Sequence, residues 1–151
     1  MSSYLTFYLV PKKTKKKYSN GEEIEIELST EPLSFIYYCR SSDIYQAYND
    51  NLHPAYCDSE DKYTELTYQD AMSVVKEYEK DVKKTRKRLE LDYKILQKSG
   101  YSEEMWEEIH SFEEYLEKQE QVLKDLNYIA EIVYDITEGV SDFEKILINI
   151  D

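Results

Sequence analysis

The stretch from Ala71 to Leu96, AMSVVKEYEKDVKKTRKRLELDYKIL, decides the fold because one face of it repeats every three to four residues. The repeating positions are Ala71, Val75, Tyr78, Val82, Thr85, Leu89, Asp92 and Leu96. This alternation of four and three is the 3.5-residue repeat of a helix that packs along another helix. Thr67 is a suitable N-cap for the helix, and Ser99-Gly100 ends it.

A second stretch with the same repeat follows directly. Its repeating positions are Met105, Ile109, Phe112, Leu116, Gln119, Leu123, Leu126, Ala130 and Val133. Ser102 is the predicted N-cap, and Gly139 follows the predicted end of the helix. Because the connection between the two stretches is short, we predict a long, antiparallel, coiled-coil-like αα-hairpin over residues 66–139.

The second half of the second helix carries further apolar residues outside the repeat. They are Val122, Ile129, Ile132 and Ile136. A wider apolar stripe indicates burial on more than one side. We therefore expect this half to lie on a sheet and the distal half of the hairpin to project.

The N-terminal segment has the patterns of two strands. Tyr4–Val10 is apolar or amphipathic on both faces, which predicts a central strand ended by Pro11. Residues 22–28 (EEIEIEL) alternate strictly, which is typical of a strand buried on one side. Ser19-Asn20-Gly21 supplies a turn before the second strand. We predict that residues 4–28 form a β-hairpin with a long basic loop.

The remaining segments complete a small sheet. Leu33–Cys39 is apolar on both faces and predicts an interior strand, followed by a short helix from Ile44 to Asn49 and a loop over residues 50–64. Phe143–Ile150 alternates and predicts a last strand, with a short helix as the alternative.

These elements predict an α+β fold in a single domain, residues 1–151. A small, mainly antiparallel sheet forms a platform from residues 1–50 and 140–151, together with the short helix, and the helical hairpin is mounted on it.

The net charge of −13 is distributed in blocks of alternating sign. The blocks are +5 over residues 1–20, −10 over 21–70, +4 over 71–99, −10 over 100–138 and −2 over 139–151. Within the hairpin, we expect the basic run at residues 83–88 to pair with Glu113, Glu114, Glu117 and Glu120 on the facing helix.

The candidate partner-binding residues are the N-terminal lysine cluster with its adjacent tyrosine, and one tryptophan. They are Lys12, Lys13, Lys15, Lys16, Lys17, Tyr18 and Trp106. The cluster contains no arginine and one aromatic residue, so we do not expect direct nucleic-acid binding. A solvated loop and a contact with an acidic protein surface both remain open. The 16 tyrosines are likewise compatible with core packing or with interfaces.

The sequence predicts no enzyme, no catalytic residues, no cofactor and no metal. His53, Cys39 and Cys57 lack the paired spacing of a zinc site, and the two cysteines are expected to be reduced thiols. The three glycines lie at turns and helix ends, which leaves none for a phosphate-binding loop. No apolar run approaches the about 20 residues of a membrane helix, so no membrane association is expected.

Two stretches carry a resemblance to known proteins. The opening SYLTFYLVPKK (residues 3–13) and the closing DFEKILINID (residues 142–151) resemble small proteins of tailed phages of gut Bacteroidetes, crAss-like phages included. The resemblance implies a phage origin, and hence either a virion component or an early host-directed factor. The sheet platform, the projecting hairpin, the charge blocks and the many tyrosines favour a non-enzymatic structural or accessory protein that docks to other virion subunits as a homo- or hetero-oligomer. Its place would be the virion or the cytoplasm of the infected bacterial cell. The alternative is an acidic, host-directed inhibitor that counters a defence system or mimics nucleic acid.

Overall fold

The computed structural model describes residues 4–12, 14–27, 34–39, 42–56, 64–100 and 102–150. The elements are β1 (Tyr4–Pro11), β2 (Thr14–Ser19), β3 (Glu22–Glu27), β4 (Ser34–Cys39), α1 (Asp43–Tyr56), β5 (Thr64–Glu65), α2 (Tyr68–Ser99), α3 (Glu103–Thr137) and β6 (Phe143–Ile150). An antiparallel sheet and two long helices packed along each other confirm the predicted α+β class.

The helical hairpin follows the repeat in the sequence. Thr67 caps α2, because its hydroxyl accepts a hydrogen bond from the backbone N–H of Asp70 at 3.1 Å. Ser102 occupies the N-cap position of α3, but its side chain makes no capping bond. Buried residues at the repeating positions of both helices, including Val82 and Ile109, confirm the predicted seam.

The main sheet has the strand order β4-β1-β6-β5, and all its pairs are antiparallel. The prediction that Tyr4–Val10 forms a central strand is confirmed, because β1 pairs with β4 on one edge and with β6 on the other. Residues 143–150 form a strand, so the short-helix alternative is wrong.

The prediction of a β-hairpin over residues 4–28 with a long basic loop is wrong. β1 pairs with β4 and β6, whereas β2 and β3 pair with each other in a separate two-stranded sheet. This sheet (residues 14–27) is here called the basic ribbon after the three lysines of β2, although the four glutamates of β3 give it a net charge of −1. One face of β1, with Leu5, Phe7 and Leu9, is buried in the core, and the lysines from position 15 to 17 lie in a strand rather than in a loop.

The turn of the basic ribbon explains this pairing. Asn20 and Gly21 have φ angles of 53° and 78°, and Ser19 pairs with Glu22 across them. Positive φ at both central residues is the two-residue turn that fits the twist of a β-hairpin, and Asn-Gly is its preferred sequence. In this register Lys16 lies opposite Glu25.

Two further predictions need correction. Within the described residues β4 lies at an edge of the sheet rather than in its interior. α1 extends to Tyr56, so residues 50–56 are helical and not loop, while residues 57–63 of the predicted loop lie outside the described residues. α1 continues because its apolar side, including Tyr48 and Leu52, is buried in the core.

The core lies where α1 and the proximal half of the hairpin cover the sheet. Val122 and Ile129 of α3 belong to it, and Ile132 and Ile136 pack against it, as the wider apolar stripe predicts. Farther along the hairpin, residues such as Leu89 and Ile109 are buried without belonging to this core. Among the elements that the structure describes, α2 and α3 alone therefore form the distal seam.

Candidate interaction surfaces

Lys12 anchors the start of the basic ribbon at the base of the hairpin. Its backbone N–H donates to the carbonyl of Asp142 at 3.0 Å, and its Nζ donates to the carbonyl of Gly139 at 3.2 Å. Lys12 is half-buried. It therefore serves to fix the chain next to the connection between α3 and β6, and it is not part of an exposed loop as predicted.

The other members of the lysine cluster belong to β2, except Lys13, which lies outside the described residues. In the ladder, Lys15 lies opposite Ile26 and Lys17 opposite Ile24, while Tyr18 lies opposite Glu23. Because successive residues of a strand alternate between faces, Lys15, Lys17 and the two isoleucines share one face of the basic ribbon. The register places Ser19 and Glu22 on the same face.

Trp106 lies at the other end of the molecule. It is in the first turn of α3, is 39% exposed and packs edge-on against the ring of His110 at 5.0 Å. At 1.5 Å per residue, about 46 Å of helix separates it from Thr137, near which Lys12 is fixed. Trp106 and the lysine cluster therefore cannot form one binding site within a single chain.

A groove that the sequence did not indicate lies between α2 and α3 at the base of the hairpin. This base groove has a volume of about 340 Å³ and is lined by Tyr68, Met72, Asn127, Ala130, Glu131, Tyr134 and Asp135. The rings of Tyr68 and Tyr134 meet across it at 5.4 Å. Met72 and Tyr134 each follow a seam residue by one position. Such apolar residues directly after seam positions are the feature of the sequence that could have indicated this groove.

A second concavity, the acidic cleft, lies where the start of α1 meets α2. It has a volume of about 280 Å³, and its lining includes Asp43, Asp50, Glu77 and Asp81. Burial, and then the charge of Asp43, raise the pKa of the Tyr78 hydroxyl in its wall to about 12. No three metal-ligating side chains in the described ranges are arranged to hold a metal ion.

The predicted charge pairing across the hairpin is partly confirmed. Arg86 forms an ion pair with Glu120 at 3.0 Å, whereas Arg88 pairs with Glu108 at 3.4 Å. Glu113 accepts a hydrogen bond from the hydroxyl of Tyr93 instead of pairing with the basic run. Glu114 and Glu117 form no ion pair with any described residue, so that part of the prediction is wrong.

The hairpin thus leaves much of the charge of α3 exposed. α3 carries eleven acidic residues against Lys118 and Lys124. Exposed ion pairs such as Arg86–Glu120 contribute at most about 1 kcal/mol each, so they do not determine the packing of the helices. The apolar seam supplies that packing, and the charges are available for interactions with other molecules.

Comparison with protein families, with characterised proteins and with solved structures finds no significant match to this chain. Among the helices of the described ranges, none combines the length and apolar composition that crossing a membrane requires.

Proposed function

We propose that this chain is a non-enzymatic docking protein that binds other protein subunits, and that it serves as a structural or accessory component of a phage virion. The observation that carries the proposal is the basic ribbon. Among the described residues, β2 and β3 pair with each other and no other element packs extensively on them.

An isolated two-stranded ribbon is marginally stable in water, and independent stability requires more strands or packing against a helix. The described part of the chain supplies neither to the basic ribbon. A partner surface would supply that packing. Because β2 contains Lys15, Lys16 and Lys17, we expect acidic groups where that surface meets β2. β3 contributes Glu22, Glu23, Glu25 and Glu27, so the ribbon as a whole has a charge of −1.

Exposed aromatic side chains on the hairpin support the same function. Tyr128 is 61% exposed and Tyr134 is 47% exposed, and Trp106 is exposed at the distal end. Large aromatic residues are enriched at the centres of protein interfaces because they bury much area with little loss of conformational entropy.

The phage assignment rests on the resemblance of the two chain ends. Those stretches form β1 and β6, which pair side by side with Phe7 opposite Ile148. A resemblance confined to these stretches therefore concerns the central strands of the sheet platform. The corresponding location is the virion or the cytoplasm of the infected bacterial cell.

Quantitative mass spectrometry of purified phage particles tests this function. We expect the wild-type protein in the particles in a fixed ratio to the other structural proteins. We expect a variant with Lys15, Lys16 and Lys17 replaced by serine to be depleted from them. Replacing Lys83, Lys84 and Lys87 of α2 by serine removes the same charge elsewhere and should leave incorporation unchanged. Absence of the wild-type protein from the particles overturns the proposal.

A second candidate function, an acidic inhibitor of a host protein, is favoured by one specific observation. Glu103, Glu107, Glu114 and Glu117 are exposed, and none of them forms an ion pair with a described residue. Their spacing of four, seven and three places them along one side of α3. A row of carboxylates is the feature that occupies a groove built for a phosphate backbone.

Capture of a host protein on immobilised wild-type chain tests this second candidate. The bound protein should be released by duplex DNA and should not bind a variant with the four glutamates replaced by glutamine. A chain that retains no host protein, or one that duplex DNA does not displace, contradicts nucleic-acid mimicry.

A further inference from the structure

We propose that the helical hairpin joins copies of this chain side by side in a closed ring, with the outer edge of α2 from one copy against the outer edge of α3 from the next. This inference rests on the proposed function, because it names a second copy of the chain as one of the subunits that are bound. It concerns the hairpin and does not depend on the basic ribbon.

The two helices of the hairpin present outer edges of opposite charge. An outer edge consists of the positions of the seven-residue repeat that lie farthest from the seam, and its side chains are exposed apart from the half-buried Asp125. Between residues 76 and 98, the outer edge of α2 carries seven lysines against Glu77 and Glu90. Between residues 103 and 125, the outer edge of α3 carries six acidic residues against Lys118 and Lys124. Two copies placed side by side therefore bring unlike charges together.

Nearly all of these charges lack an ion-pair partner in their own chain. Within the described ranges, Lys80 and Glu77 form the one ion pair between lysine and acidic side chains of the outer edges, at 2.8 Å on the same helix. The ion pairs that cross the hairpin lie on the two flanks of the seam instead. Because the outer edges of α2 and α3 point in opposite directions, their charges cannot pair within one hairpin. A neighbouring copy brings them within reach.

The packing register of the hairpin sets which positions of the two edges lie level. Two ion pairs, one on each flank, define it: Arg86–Glu120 at 3.0 Å and Arg88–Glu108 at 3.4 Å. Lys87 and Glu114 stand midway between these contacts along their helices, so they lie at the same height on the hairpin. A ring formed by rotation about an axis along the hairpins keeps neighbours at the same height. Lys87 of one copy then meets Glu114 of the next.

The other level positions follow because the two helices are antiparallel. Six level pairs have opposite charges: Lys76–Asp125, Glu77–Lys124, Lys84–Glu117, Lys87–Glu114, Lys94–Glu107 and Lys98–Glu103. Lys83 and Lys118 form the one level pair of like charge, and the remaining level pairs have at most one charged member. A single exposed ion pair contributes little. A matched set of six selects both the neighbour and its height.

The distal part of both edges is open to a neighbour. The platform reaches the hairpin at its proximal end, where Glu77 lines the acidic cleft together with the start of α1. The four opposite-charge pairs nearest the tip, from Lys84–Glu117 to Lys98–Glu103, consist entirely of exposed side chains. These four pairs are therefore the part of the contact on which the experiment is built.

Sedimentation velocity with charge-reversed variants tests the proposal. One double variant carries Lys87→Glu with Lys94→Glu, and the other carries Glu107→Lys with Glu114→Lys. At physiological ionic strength, we expect the wild-type chain to form a closed assembly larger than a dimer. Each double variant alone should need at least about tenfold more protein to assemble, because edges of like charge then meet.

Restoring the complementarity separates this contact from a general effect of charge. A chain with all four reversals keeps the net charge of −13 and again has unlike edges, so it should assemble as the wild type does. A mixture of the two double variants should also assemble, because the reversed edges meet each other and the native edges meet each other. Recovery shows at the same time that the variants are folded. Glu131→Lys with Asp135→Lys changes the net charge equally outside the level positions and should leave assembly unchanged.

The outcomes decide between this contact and the proposed function separately. A wild type that stays monomeric or stops at a dimer, double variants that assemble normally, or restored combinations that fail to assemble each overturn the proposal. The variant with Lys83, Lys84 and Lys87 replaced by serine should still enter phage particles through the ribbon, but should assemble poorly by itself. If the particles contain the protein while the wild type is monomeric in solution, only the ring is wrong and the docking function stands.

Discussion

Three polar side chains are buried in the seam between α2 and α3, and they are not equally satisfied. Thr85 donates a hydrogen bond to the carbonyl of Asp81 at 3.2 Å. One carboxylate oxygen of Asp92 forms an ion pair with Arg88 at 3.4 Å, but the second oxygen has no hydrogen-bond partner. The amide oxygen of Gln119 also has none. Polar residues in such a seam cost stability and restrict the register of the helices.

Replacing Gln119 by leucine should stabilise the protein. The change removes a buried acceptor without a partner and fills the position with an apolar side chain, so the free energy of unfolding should rise by about 1–2 kcal/mol. Urea denaturation followed by circular dichroism measures this. Gln121→Leu on the exposed side of α3 is the matched control and should change stability little. A loss of stability in Gln119→Leu would show that this amide is satisfied.

Tyr78 should make the protein sensitive to alkaline pH. Its hydroxyl has a pKa raised from 10.0 to about 12, firstly by burial and secondly by Asp43. Because the raised pKa favours the neutral form in the folded state, its contribution is complete below pH 10 and is lost as the pH rises through 12. The free energy of unfolding of Tyr78→Phe should therefore decline less steeply over this window. Equal slopes for the two proteins would contradict the assignment.

At the level of the element, the two helices of the hairpin begin differently. Thr67→Ala should lower the free energy of unfolding by about 0.5–2 kcal/mol, because the hydroxyl satisfies the N–H of Asp70. Ser102→Ala should cost less, because the Ser102 side chain makes no capping bond. Urea denaturation of both variants checks the difference. Equal losses would contradict the capping geometry.

The helices of the hairpin were predictable because their signal is local and long. The 3.5-residue repeat extends through both helices, so even the buried polar positions Thr85, Asp92 and Gln119 were identified as seam positions. The pairing of β1 was not predictable in the same way. Its partner β6 is more than 130 residues away in the sequence, and an alternating pattern shows which face is buried but not which strand lies alongside.

The basic ribbon and α1 show where local signals were weighted wrongly. Asn20-Gly21 is a strong hairpin signal, but the lysines before it were interpreted as a loop rather than as its first strand. The predicted loop includes Pro54, yet α1 continues through this proline to Tyr56. Proline removes one backbone donor, and burial of residues such as Leu52 outweighs that loss. The base groove was missed because it depends on how two helices pack.

At the scale of the whole molecule, charge limits how copies can meet. A net charge of −13 makes any two copies repel each other at long range. At physiological ionic strength this repulsion is screened beyond about 8 Å, so contacts at short range decide the association. The three lysines of β2 oppose this excess locally, but the four glutamates of β3 leave the ribbon with a charge of −1.

Amide hydrogen exchange of the basic ribbon, measured in the free chain and in purified particles, tests the central claim that this ribbon is a docking element. We expect fast exchange of the β2 and β3 amides in the free chain and protection of the same amides in the particles. The amides of β1 and β6 should be protected in both, because they pair within the main sheet. Ribbon amides that exchange equally fast in the free chain and in the particles would contradict this claim.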